Sequence, residues 1–484
     1  MNKELRRVSI VALSMFLALF VSTSVIQVFA VDDLRADGRN SRTLFESYSA
    51  ERGPILVDGT PIAESVPVDT QYEFLRTYTQ PELYAAITGY FTLNQGNTGI
   101  EGELNDFLSG TANEQFLDQL GALVTGQSPR GAAVELTVDP VVQQAAWDAL
   151  GDQQGSVVAI EPATGRILAM VSKPAYDPNR LAAHDTQAVL AAYEELINNP
   201  DDPLVNRAIA GDLYFPGSVF KVLMAAAAID SGEFEPESEF PNPPTLELPN
   251  SSSVISNSEG GACGGGETVT IATALRLSCN IPFAQLGLAL GEDTIADYAD
   301  AFGFGTRVEI PMRSTASTFP TGLDEAQLML SSFGQYDVRV TPLQIAMISA
   351  AIANGGNLMQ PTLVDRVIAP DLSIVQEDEP VLLSQPISRE TASIMTQLMV
   401  DGVANGAASN ATIEGVAVAG KTGTAENGGE TPYTLWFTGF APADDPQVAI
   451  AVVVEDGGGF GQTAFGNRVA APIAKTVLEA VLNR

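Results

Sequence analysis

Phe215-Pro216-Gly217-Ser218-Val219-Phe220-Lys221 runs into Val222-Leu223-Met224-Ala225-Ala226-Ala227-Ala228-Ile229. The apolar, alanine-rich run predicts a helix over 219–229, opening beside the Pro216-Gly217 break. Ser218 and Lys221 are three apart and therefore share one helix face near its N-terminus. A lysine buried there is desolvated, its pKa falls, and a neutral amine can take the serine proton. The helix start also presents unpaired N–H groups and a field that favours developing negative charge. Taken alone, the pair is weak evidence and reads as a helix cap beside a snorkelling lysine.

Two further strings follow. Ser278-Cys279-Asn280 comes after a helical run at 271–277, and Lys421-Thr422-Gly423-Thr424 after an apolar run at 416–419. Ser278 and Asn280 carry a hydroxyl and an amide able to bridge Lys221, Ser218 and a substrate amide. In that arrangement Ser278 relays a proton to the leaving amine and Asn280 holds the lysine. On a strand edge, Lys421 and the Thr422 and Thr424 hydroxyls can meet a carboxylate. Gly423 is expected to leave room for substrate to approach the backbone. The backbone N–H groups of Ser218 and Thr424 make a candidate oxyanion hole. A phosphate loop at Gly420-Lys421-Thr422 is the competing reading. It fails because an apolar strand precedes it and Gly423-Thr424-Ala425 does not open a helix. The chain has five lysines and one histidine, His184, in 484 residues, and two of the lysines lie in these strings. The order of the three strings describes a serine site that works without histidine.

Around the strings, strand-like runs occur at 134–138, 156–160, 166–171, 415–419, 435–441 and 448–454. The interval 161–165 carries turn residues and predicts a hairpin. Helices are expected at 141–150, 341–354 and 468–482; in the second, Thr341 caps, Pro342 opens and Gly355-Gly356 ends the run. Strands at both ends with helices between them predict an α/β (α+β) domain. Its sheet is largely antiparallel, gathers the first and last strands and carries helices on its faces. Residues 240–268 and 426–433 read as loops near the cleft. The chain divides into 1–30, a cytoplasmic tip and anchor; 31–145, a pedestal or interaction region with helical stretches such as 113–124; and 146–484, the catalytic domain.

Residues 8–30 are uncharged, which makes a helix of roughly 34 Å, enough to span a bilayer core of about 30 Å. Arg6 and Arg7 precede the run, so the remainder is expected outside the cytoplasm, on a single-pass plasma-membrane protein. Val28-Phe29-Ala30 leaves a cleaved signal as the alternative. The net charge is −35, with 59 acidic and 24 basic residues. That balance excludes a nucleic-acid partner, because no basic surface is available to meet phosphates. One histidine and two cysteines leave no metal set, and no cofactor motif stands out. Cys263 and Cys279 lie close in sequence, and outside the cytoplasm a disulfide between them is permitted. Two separate thiols remain the alternative.

The ordered strings resemble those of penicillin-binding proteins and serine β-lactamases. With Arg52-Gly53-Pro54-Ile55, Leu136-Thr137-Val138-Asp139-Pro140, Asn206-Arg207-Ala208 and the segment 436–442, nearly the whole chain resembles the class B penicillin-binding proteins, in their actinobacterial form. These are monofunctional peptidoglycan D,D-transpeptidases. The resemblance implies Ser218 as acylated nucleophile, Lys221 as base, Ser278 and Asn280 as the second element, and Lys421, Thr422 and Thr424 as carboxylate readers. It implies peptidoglycan stem peptides as substrate, β-lactams as covalent inhibitors, and membrane proteins of wall synthesis or division as partners. Two departures stand out: Val219 replaces a common threonine, and Thr434-Leu435 replaces a histidine-alanine pair before Trp436. A D,D-carboxypeptidase, a β-lactamase and a non-catalytic β-lactam sensor or scaffold are the alternatives.

Overall fold

The computed structural model describes residues 2–26, 49–70, 72–92, 95–112, 115, 130–258 and 260–484. Of the helical stretch expected at 113–124, only residue 115 is among them; residues 27–30 also lie outside. The apolar N-terminus forms α1 (Asn2–Ser24). Its segment Lys3–Ser24 is long and apolar enough to cross a membrane, and none of it is buried against the rest of the chain.

In chain order, the elements that shape the molecule begin with β1 (Ile55–Val57), β2 (Thr60–Pro67), β3 (Phe74–Tyr78), α2 (Pro81–Thr88) and β4 (Ala133–Leu136). Then come α3 (Pro140–Leu150), β5 (Gly155–Ile160), β6 (Ile167–Lys173), α4 (Lys221–Asp230), α5 (Ile271–Leu277), α6 (Ile281–Leu290) and α7 (Pro342–Ala353). The last are β7 (Val364–Ile368), β8 (Ile374–Glu377), α8 (Arg389–Ala404), β9 (Ala419–Ala425), β10 (Thr434–Ala441), β11 (Val448–Val454) and α9 (Gly466–Leu482).

The central sheet has the order β9-β10-β11-β5-β6 and is antiparallel throughout. The runs at 156–160 and 166–171 join the C-terminal strands as predicted, whereas the run at 134–138 does not enter this sheet and pairs elsewhere as β4. The β5–β6 hairpin closes through Gly165, whose φ of +84° suits glycine, and its N–H donates to the Glu161 carbonyl at 2.9 Å. β10 and β11 are buried along their whole length because helices cover both faces. Val157, Phe437 and Val452 share a core with Val142 and Leu150 of α3 and Val477 and Leu478 of α9. On the opposite face α7 packs against β5, β10 and β11. That helix begins as expected: Thr341 Oγ1 accepts from the Gln344 N–H at 3.1 Å and Pro342 sits in the first turn.

The stretch 240–268, expected as loop, carries short paired strands at Thr245–Glu247 and Val254–Ser256, and Glu239–Pro241 pairs with Thr268–Thr270 at its ends. One strand of the catalytic sheet also differs from expectation. Residues 415–418 are not a strand; Gly415 turns at φ +76°, and the strand is β9, which contains all of Lys421–Thr424. Apolarity pointed to the wrong end of this segment because the polar string is itself buried between sheet and helices. A second sheet, β8-β7-β4-β1-β2-β3, draws β7 and β8 from far along the chain. In it β1 and β4 run parallel, while β4 and β7 are antiparallel. Beside this sheet lies a buried ion triad. Arg52 Nε and Arg76 Nε contact the two oxygens of Glu101 at 2.6 and 2.5 Å, and Glu101 is 0% exposed. Burial alone pushes the Glu101 carboxyl up, but Arg76 and Arg52 outweigh it and hold the group below the ordinary carboxylate value.

Candidate active site

Ser218 lies in a 3-10 turn, Gly217–Phe220, that leads directly into α4. With three residues per turn, positions i and i+3 lie over each other, which brings Lys221 onto Ser218 more directly than an α-helix would. The turn is clamped from several sides. Gly217 N–H donates to the Gly334 carbonyl at 2.9 Å, Trp436 Nε1 donates to the Phe215 carbonyl at 3.0 Å, and Tyr214 exchanges backbone bonds with Val340. Gly217 has φ +53°, and a Cβ there would fall 2.7 Å from the Thr424 carbonyl oxygen. Only glycine satisfies both demands, so the serine turn sits directly on β9.

Lys221 is 0% exposed. Its Nζ lies 2.9 Å from Ser218 Oγ, 2.9 Å from the Ser278 carbonyl and 2.7 Å from Asn280 Oδ1. Two of these partners can only accept. A neutral amine therefore directs its two N–H bonds to them and turns its lone pair toward the Ser218 hydroxyl. Burial, reinforced by the Lys421 charge, holds the Lys221 pKa well below the usual lysine value. The same geometry thus selects the protonation state in which the amine is a base.

Ser278 ends α5 in the left-handed region, at φ +63°. That conformation is costly for a residue with a Cβ. It turns the Ser278 carbonyl to Lys221 while its Oγ receives Lys421 Nζ at 2.6 Å. Lys421 also donates to the Thr422 carbonyl at 2.7 Å, is 2% exposed, and has its pKa lowered by burial to about 7. Ser218, Lys221, Ser278, Asn280 and Lys421 are thus joined in one chain of hydrogen bonds.

The remaining members of the third string occupy β9 in different ways. Thr422 donates its hydroxyl to the Ala407 carbonyl at 2.9 Å, so carboxylate recognition by that group requires this bond to exchange. Thr424 is partly exposed and its Oγ1 accepts the Gly466 N–H at 3.3 Å, which leaves its own proton available. Gly423 corrects an expectation. A Cβ there would meet the Pro216 carbonyl oxygen at 3.0 Å, Trp436 Cβ at 3.0 Å and Val219 Cγ1 at 3.1 Å. The missing side chain makes room for the serine turn, not for a substrate. Val219, the first departure, is buried in that packing. Of the second departure, Leu435 is buried in the core and Thr434 Oγ1 accepts from Asn427 Nδ2 at 3.1 Å.

Supporting residues escaped the sequence reading. Glu455 accepts from Arg207 Nε at 3.1 Å and from the Tyr214 hydroxyl, tying the approach to Ser218 to the end of β11. Tyr214 in turn meets Trp436 edge-to-face, with ring centroids 5.8 Å apart. Cys263 and Cys279 are joined by a disulfide with Cα atoms 6.0 Å apart. Buried Asn242 holds the Cys263 segment by donating to the Cys263 carbonyl at 2.9 Å and accepting its N–H at 2.9 Å. No local pattern marks Tyr214, Asn242 or Glu455, whose partners lie more than twenty residues away, whereas the Cys263–Cys279 bond is the one the sequence left open.

Residues 155–479 match the model of the penicillin binding protein transpeptidase domain, and residues 52–134 that of the penicillin binding protein A dimerisation domain. The chain is 43% identical to the peptidoglycan D,D-transpeptidase PbpA of Mycolicibacterium smegmatis, over 100% of this chain and 99% of that protein. It is 41% identical to PbpA of Mycobacterium tuberculosis over the same shares. Among solved structures, it resembles the ceftriaxone acyl-enzyme complex of penicillin-binding protein A from M. tuberculosis with a TM-score of 0.87. There the identity is 40%, and the match covers 90% of this chain and 100% of that one. A serine-lysine pair set in this fold, with full-length relatives of one kind, has a single meaning: the chain belongs to the class B penicillin-binding proteins, in their PbpA type.

Proposed function

We propose that this protein is a peptidoglycan D,D-transpeptidase that crosslinks stem peptides through an acyl-enzyme on Ser218, releases D-alanine, and is covalently inhibited by β-lactams. The observation that carries this reading is the 2.9 Å approach of Lys221 Nζ to Ser218 Oγ, with acceptor-only partners on its other two contacts. Lys221 takes the serine proton as Oγ bonds to the carbonyl carbon of the penultimate D-alanine. The backbone N–H groups of Ser218 and Thr424 hold the oxyanion. The C–N bond then breaks, and the leaving amine takes a proton relayed through the Ser278 hydroxyl. Lys421, Thr422 and Thr424 receive the terminal carboxylate, and Asn280 keeps Lys221 and the acyl chain in place. An acceptor amine reverses the sequence and completes the crosslink.

The test is incubation with a stem-peptide donor and an amine acceptor, followed by mass analysis. Crosslinked product supports the transpeptidase; hydrolysed product alone would make it a D,D-carboxypeptidase. With a β-lactam, intact mass should show one adduct that Ser218→Ala abolishes, and an adduct retained by folded S218A would overturn the nucleophile. An adduct without turnover of the peptide would leave a sensor.

Residues 1–30 act as a single-pass anchor, with Arg6 and Arg7 cytoplasmic and the catalytic region outside. Residues 31–145 serve as a pedestal toward membrane proteins of wall synthesis or division, and residues 146–484 form the catalytic domain. The match of 52–134 to a dimerisation domain supports an interaction role for the first region. N-terminal sequencing with carbonate extraction checks the anchor; a mature terminus at Val31 with release into the soluble fraction would replace it by a cleaved signal.

A further inference from the structure

Asn280 occupies the N-cap position of α6, yet its side chain makes no capping bond. Its amide is committed elsewhere: Oδ1 accepts from Lys221 Nζ at 2.7 Å, and Nδ2 donates to the Ser256 carbonyl at 2.9 Å. The second bond decides which end of the amide faces the lysine. A helix start left uncapped in a buried site carries unsatisfied N–H groups. Here Pro282 has no N–H, and two of the others are satisfied from outside the helix. Asn257, 6% exposed, accepts the Asn280 N–H at 2.9 Å and the Ile281 N–H at 3.2 Å on its Oδ1. Its Nδ2 donates to the Gly261 carbonyl at 3.0 Å. The same loop is joined to Cys279, one residue before Asn280, by the Cys263 disulfide.

We infer that Asn257 is a positioning residue for acylation: by accepting the Asn280 and Ile281 N–H groups it fixes the backbone from which the Asn280 side chain reaches Lys221. Nothing in the three strings contains Asn257, and it touches none of the reacting groups. Its effect passes through the Asn280 backbone and, by way of the adjacent Ser256 carbonyl, through the amide. Without it, the Asn280 and Ile281 N–H groups lose their acceptor and the backbone that carries the Asn280 side chain shifts to find another. Lys221 then loses one of the two acceptors that direct its lone pair at Ser218.

The inference rests on the serine acyl-enzyme reading, so the experiment separates the two. Acylation of the full chain by a reporter β-lactam is followed in wild type, Asn257→Ala and Asn257→Asp, with the noncovalent binding constant and the acylation rate constant resolved. A wild-type protein that forms no Ser218 adduct would remove the underlying reading. Given that adduct, N257A should acylate about 10- to 100-fold more slowly, the scale of a catalytic group displaced by about an ångström. Its binding constant should be nearly unchanged. N257D keeps the oxygen that accepts both N–H groups and should recover most of the rate, although its bond to Gly261 is lost. A merely structural role would lower the melting temperature of both variants and leave acylation of the folded fraction untouched. Acylation of N257A at the wild-type rate, or equal slowing in N257A and N257D, would overturn the assignment; if N257A does not fold, N257D acylating as slowly as Asn280→Ala does the same.

Discussion

The molecule buries charge twice, by opposite rules. In the first region Arg52, Glu101 and Arg76 are buried together, with a carboxylate shared between two guanidinium groups. In the catalytic cleft Lys221 and Lys421 are buried near each other, and among the described residues neither has an ion-pair partner. Compensation in the triad keeps the Glu101 carboxyl ionised and makes the cluster a staple between strands and loop. In the cleft, desolvation without compensation lowers both amine pKa values and yields a base. Burial of charge thus gives cohesion where the partner is present and reactivity where it is withheld.

The largest expected effect breaks the compensated cluster. Glu101→Gln keeps the shape but leaves two buried guanidinium groups facing a neutral amide, and stability should fall by about 3–5 kcal/mol. Urea titration measures it; a midpoint unchanged from wild type would mean the triad is not a staple. Acylation by β-lactam of the fraction that stays folded should persist, since the triad touches no cleft residue.

The mirror-image change is Lys221→Ala. Acylation should slow by at least about 100-fold, the usual scale of general-base help. Stability should hold or rise, because an uncompensated buried amine disappears. Stopped-flow acylation and a thermal melt read the two quantities together, and a variant that loses stability while acylating normally would invert the contrast between triad and cleft.

A smaller effect concerns Lys421→Ala, which should weaken ligands that bear the carboxylate more than their methyl esters. Equal discrimination by wild type and variant would refute the carboxylate role. The smallest effect sharpens the contrast through pH. Lys421 titrates at about 7 when folded against an ordinary 10.5, so between these values the unfolded chain binds more protons. Stability therefore gains from Lys421 as pH rises through that window, and Lys421→Met should flatten the rise. Glu101, held low when folded, acts at the other end: its stabilisation is present above the ordinary carboxylate range and is lost as pH falls through its folded pKa. Melting temperatures across pH check both slopes; a K421M protein with the wild-type slope would dissociate Lys421 from the effect.

Much of this was legible in the chain. The β5–β6 hairpin, the strand Val448–Val454, the capped helix at Pro342 and the order of the three strings follow from local patterns of apolarity and turn chemistry. The third string was expected on a strand edge and lies on one, but the bounds Ala419–Ala425 were not legible, since the polar string carries no apolar alternation and is buried only because α8, α9 and the serine turn close over it. Asn257 and Glu455 sit in unremarkable contexts, and each acquires a role from a partner more than twenty residues away.

By itself the sequence determined which chemical groups are available, a serine three before a lysine, a second hydroxyl and amide, a second lysine, and that histidine chemistry is absent from the site. Those are matters of covalent order and local propensity. The tertiary structure alone decided that both lysines are dry, that Lys221 has two acceptor-only neighbours, that Gly423 clears space for the serine turn, and that Asn257 accepts the Asn280 N–H. Desolvation and hydrogen-bond direction depend on what surrounds a group in three dimensions, and residues remote in the chain supply those surroundings.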